Sequence, residues 1–144
     1  MVAGFAMLSA GVFAPALAGT PEEAKALCEK AAALIVAQGD KAFAKISDPS
    51  GEFLQGDMGV TVTDHHAVVL ASYHTKLIGM DTWEITDPDG VKFGQEAVKI
   101  AETAGSGWIK FKSTNPATKK IAPKMAWAQK AGDFVVLATA PSPQ

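Results

Sequence analysis

The sequence predicts an α+β domain: one antiparallel sheet with helices packed to one side or one end. Two observations carry this prediction. The hydrophobic period changes from 3.6 to 2 partway along the chain, and the last third alternates apolar and polar residues between turn signals. A third observation sets the scale. Of 144 residues, about 20 at the front read as a targeting segment, leaving the length of one ordinary domain. An apolar share of 48% against 19% charged residues separates the chain from disordered sequences.

The elements follow in order. Residues 1–18 are almost wholly apolar or small and end in Ala16-Leu17-Ala18, the small-x-small pattern of a secretory leader, so cleavage is expected after Ala18. Pro15 and the short length argue against a membrane span. The first basic residue is Lys25, so the charged start usual for such leaders is missing, as it would be if translation began upstream. Thr20-Pro21-Glu22-Glu23 then reads as a helix start, with Thr20 as N-cap, Pro21 in the first turn and a capping-box glutamate. Residues 21–38 continue as an amphipathic helix with Cys28 on its apolar stripe, closed by Gly39. A lone cysteine cannot form an internal disulfide. A short helix from Asp40 to Ile46 precedes the turn Asp48-Pro49-Ser50-Gly51.

Met58–Thr63 is a strand, Asp64–Ala67 its turn, and Val68–Ser72 the returning strand. Residues 73–94 are loop, punctuated by Asp87-Pro88-Asp89-Gly90. Gln95–Ala104 is a helix with Ala97, Ile100 and Ala101 inward, ended by Gly105. A three-stranded meander closes the chain. In Trp108–Lys112, Trp108, Lys110 and Lys112 share one face and Ile109 and Phe111 the other. Residues 113–122 are loop. In Pro123–Gln129, Met125 and Trp127 share one face and Lys124, Ala126 and Ala128 the other. Phe134–Thr139 is the last strand, and residues 141–144 form a tail. The meander is expected to fold over the preceding hairpin and leave a sheltered hollow, with the Lys124 ammonium turned into it.

Charge narrows the function. Residues 1–104 carry seven lysines against fourteen acids, whereas residues 105–144 carry six lysines against Asp133 alone. There is no arginine, so the planar fork that grips phosphate and guanine is missing, which argues against nucleic acid. An anion would be held by lysine, backbone N–H groups, hydroxyls or indoles. The segregation has a plainer reading as well, mutual neutralisation of the two parts across the fold.

Catalysis finds little support. Ser72 and His74 lie close in sequence, but no nucleophile-elbow pattern or third member accompanies them. His65, His66 and His74 lack metal-ligand spacing, and Asp87-Pro88-Asp89-Gly90 lacks the remaining ligands of a calcium loop. No haem-attachment motif is present, and no cofactor or metal is expected.

Several strings carry a family likeness: Asp87-Pro88-Asp89-Gly90, Gly105-Ser106-Gly107-Trp108, Asn115–Lys120, Ala122-Pro123-Lys124, and the apolar strand running into Leu77-Ile78-Gly79. Together with the order of elements, they resemble the single Cache domain family, in the second of its sequence types, over residues 21–140. The resemblance implies a PAS-like fold, a central antiparallel sheet with a long N-terminal helix and short flanking helices. It implies a free-standing sensor domain over residues 19–140, periplasmic or secreted, that binds a small molecule, often a short organic acid, and acts in signal transduction or chemotaxis with a membrane receptor or sensor kinase. Lys124 and Trp108 match the family. At positions where it often has tyrosine or histidine this chain has Gly59, Ser72, Phe111 and Trp127, which implies a more apolar pocket.

The candidate ligand-binding residues are therefore Lys124 for an anion, Trp108 and Trp127 as lining and indole donors, Phe111 as lining, and Ser72 as a hydroxyl donor. Each has a plainer alternative: a solvated edge-strand lysine for Lys124, core packing for the aromatic residues, an ordinary strand serine for Ser72. A second reading of the whole is an envelope interaction protein that keeps the fold without binding a ligand.

Overall fold

A computed structural model describes residues 19–56, 58–114 and 119–142. Residues 1–18, where a leader is expected, Asp57, residues 115–118 and the last two residues lie outside the described residues. Helix α1 spans Pro21–Gln38, followed by a 3-10 turn and the short helix α2, Phe43–Ser47. Strands β1 (Leu54–Gln55), β2 (Met58–Thr63) and β3 (Val69–Ser72) come next, then helix α3 (Phe93–Thr103) and strands β4 (Ser106–Thr114), β5 (Ile121–Ala131) and β6 (Phe134–Pro141).

The capping box at α1 is complete. Thr20 Oγ1 accepts from Glu23 N at 3.1 Å, and Glu23 Oε1 accepts from Thr20 N at 3.0 Å. Ala24, Leu27, Cys28, Ala31 and Ile35 are buried at helical spacing, and the small residues among them let α1 lie close to the sheet. Gly39, at φ 64°, closes the helix in a conformation that L side chains rarely adopt.

All six strands form one antiparallel sheet in the order β1-β2-β6-β5-β4, with β3 also on β2. This corrects the expectation that the meander folds over the hairpin. β6 pairs edge to edge with β2, in the register Val62↔Val136, so hairpin and meander are neighbours in one layer. Between β5 and β6 a two-residue turn, Gly132-Asp133, has Gly132 at φ 61°, the glycine-first form whose twist matches the flanking strands. Other boundaries moved too. β4 and β5 are longer than the sequence indicated, because cross-strand pairing from Ser106↔Gln129 to Thr114↔Ile121 carries both into the expected loop. α3 starts two residues earlier than expected, and the two-residue β1 went unrecognised.

The sheet carries a core on each face. Val60, Val62, Trp127, Val136 and Ala138 meet α1 and α2. On the other face Ile109, Ala128 and Val135 meet Ala97, Val98 and Ala101 of α3. Among the described residues no helix is long and apolar enough to cross a membrane.

Candidate functional site

Alternation along each strand decides what faces the second layer. Thr61 and Thr63 of β2, Ile109 and Phe111 of β4, Ala126 of β5, and Leu137 and Thr139 of β6 point toward α3 and the segment between β3 and α3. That segment is the roof. It runs back along β3, with Val69 N donating to Met80 O at 2.9 Å and Gly79 N to Val69 O at 2.7 Å. Thr82 Oγ1 ties it to Ala67 O at 2.6 Å. Gly94, in the first turn of α3, lies against Thr82, where an added Cβ would stand 2.8 Å from the Thr82 hydroxyl.

Between roof and sheet lies a cavity of about 130 Å³. Val69, Leu77, Phe93, Ala97, Ile109, Phe111 and Leu137 make it largely apolar, with Thr61, Thr63, Thr82 and Thr139 on its walls. A second space of about 210 Å³ shares Thr61, Leu77, Phe111 and Thr139 with it and adds Tyr73, Ser113, Lys124 and Pro141. The two form an apolar inner chamber behind a more polar outer one. Lys124 stands at the outer chamber, half-buried, between Phe111 of β4 and Pro141 of β6 in register. Among the described residues no carboxylate pairs with its ammonium, whereas nearby Lys112 is held by Asp89 at 2.9 Å.

Asp87 anchors the roof to the sheet. Its Oδ1 accepts from Asp89 N (2.9 Å) and Val91 N (2.8 Å), and its Oδ2 accepts from Lys112 N of β4 (2.8 Å). Burial pushes its carboxyl upward. The three N–H donors and the Lys112 charge outweigh that and hold it below the ordinary carboxylate range.

The five candidates separate. Lys124 and Phe111 share the outer chamber. Ser72 is fully buried beside it. Its hydroxyl lies 3.1 Å from Thr61 Oγ1 and accepts from His74 N, so it positions a wall residue. Trp108 and Trp127 stand on the opposite face of the sheet, in the core against α1. Their rings meet edge to face at 5.0 Å, Lys25 Nζ lies 4.6 Å from the Trp127 ring, and Trp127 Nε1 donates to Gln129 Oε1 at 2.9 Å. These indoles hold the helix to the sheet.

Sequence reasoning passed over Thr61, Leu77, Thr139 and Tyr73. The threonines were visible as the polar alternates of two strands. Tyr73 and Leu77 sit where no period applies.

The family model described as single Cache domain 2 matches residues 19–136. Three solved structures share the fold. A methyl-accepting chemotaxis protein from Vibrio parahaemolyticus superposes with a TM-score of 0.69 at 16% identity, covering 83% of this chain and 86% of that one. A periplasmic sensor domain of a chemotaxis protein gives 0.64 at 21% identity, covering 85% and 90%. A Cache chemosensory domain, described for carboxylic acid recognition, gives 0.63 at 18% identity, covering 85% and 88%. No curated protein matches the chain.

Proposed function

The chain belongs to the single Cache domain 2 family, and from that premise we propose that it is an extracytoplasmic sensor domain that binds a small organic acid. The observation that carries this reading is the pairing of an apolar chamber with Lys124 at its outer end, a lysine that no carboxylate among the described residues pairs. An acid with a short hydrocarbon tail satisfies both. Its tail leaves water for the inner chamber, and its carboxylate meets the Lys124 ammonium in a charge-assisted hydrogen bond. The inner chamber, about 130 Å³, compares with engineered protein cavities of about 150 Å³ that take up benzene, which sets the tail at a few carbons. The carboxylic acid recognition described for one structural relative supports the same class.

In this reading residues 1–18 direct export and are removed after Ala18, residues 19–140 form the binding domain, and the response passes to a membrane receptor or sensor kinase. The domain binds without catalysing a reaction.

Thermal denaturation with a series of short monocarboxylates tests it. A ligand at about 100 times its Kd stabilises the native state by about 2.7 kcal/mol, a rise in Tm of about 10 °C for a domain of this size. Lys124→Ala should weaken binding tenfold or more, since a hydrogen bond to a charged group contributes about 1.5–3 kcal/mol. A flat response to every acid, unchanged in the variant, would leave the fold without this role.

A further inference from the structure

Gly59 is the residue of β2 on the cavity face next to Thr61, and its own side-chain position is occupied. A Cβ built there would fall 2.2 Å from two ring carbons of Tyr73 and 2.7 Å from a third. The Tyr73 ring therefore lies directly on the Gly59 backbone. Its chain position is set independently of the ring, because Tyr73 N donates to Val60 O at 3.3 Å and extends the β2–β3 pairing beyond Ser72. The ring also packs against the His74 imidazole, with centroids 4.3 Å apart and planes tilted by 34°. Tyr73 is half-buried and lines the outer chamber that also contains Lys124.

From this we infer that the Gly59–Tyr73 pair sets the length of acid the pocket accepts. The ring is a wall standing on a glycine. The ammonium of Lys124 fixes where the carboxylate sits, so the wall limits how far a tail can extend along the outer chamber before it must enter the small inner one. The Gly59 backbone backs the ring and the exposed His74 imidazole flanks it, so a side chain at position 59 displaces the wall. An alanine at 59 cannot share that space with the ring, and the ring must move off the strand into the chamber. Removing the ring joins its volume to the chamber.

The inference rests on reading the cavity as an acid pocket, and the experiment separates the two. Affinities for acetate, propionate, butyrate, valerate and hexanoate are measured by calorimetry on the wild type and on Tyr73→Ala, Tyr73→Phe and Gly59→Ala, with thermal melts to establish folding. The expected result is a shift of preference toward longer acids in Tyr73→Ala, about tenfold per added methylene that the enlarged chamber takes up. The wild-type ranking should persist in Tyr73→Phe, which keeps the ring, and binding of every acid should weaken in folded Gly59→Ala. An unchanged ranking in Tyr73→Ala with acid binding intact overturns the inference and leaves the acid pocket standing. If Tyr73→Ala does not fold, Gly59→Ala with wild-type affinities overturns it equally. No binding of any acid by any of the proteins overturns both.

Discussion

Asp87 is a carboxylate whose ionised form the native chain holds with three backbone N–H groups, and that has a measurable consequence. Its carboxyl lies below the ordinary range when folded. The stabilisation it supplies is therefore complete above the unfolded-state value and disappears as pH falls through the folded value. Asp87→Asn presents an amide donor toward one of the N–H groups and should lower Tm at neutral pH. It should also flatten the loss of Tm on acidification. Melting curves across the acidic range check this, and parallel curves for both proteins would refute it. Cys28 is the opposite case. Burial, with Glu29 adding to it, pushes its thiol far up, and the thiol donates to Val136 O at 3.3 Å. It should resist alkylation in the folded protein and react only on unfolding. Trp127, 9% exposed, belongs with the helix contact. Trp127→Phe loses the Gln129 hydrogen bond and the stronger ring partner of Lys25. It should lower stability by about 1 kcal/mol while acid affinity stays within twofold, a split that calorimetry and denaturant titration resolve.

At the scale of elements, local chemistry was legible where it is local. Thr20-Pro21-Glu22-Glu23 identifies the start of α1, and Thr20→Ala should cost about 1 kcal/mol in chemical denaturation. The start of α3 carries no such mark, because Lys92 offers no side-chain cap, so the early boundary at Phe93 had no signal. The strands teach more. Alternation in β5 places Lys124 and Trp127 on opposite faces, and alternation in β4 does the same for Trp108 and Phe111. Those assignments agree with the structure, yet the ligand site expected from the sequence combines all four residues in one pocket. The period alone excludes that. A hollow on one face of a sheet can recruit Lys124 with Phe111, or Trp108 with Trp127, but not both pairs.

For the molecule as a whole, the α+β class and the antiparallel sheet were readable, whereas the pairing of β2 with β6 was not. Those strands are more than 70 residues apart in the chain, and β-branched runs such as Val60–Val62 and Val135–Val136 specify burial without specifying a partner. That pairing makes one continuous floor of strands. The cover then has to come from α3 and the segment tied down by Thr82 and Asp87, not from strands folded over strands. The chamber is a consequence of this layering, and the account stands on its being the place where an acid binds. The most direct measurement is a heteronuclear NMR titration of the assigned protein with propionate and butyrate. The account predicts saturable shifts at Thr61, Tyr73, Leu77, Phe111, Lys124 and Thr139, with Trp108 and Trp127 indole signals nearly still. Shifts confined to the α1 face, or none at millimolar acid, would contradict it.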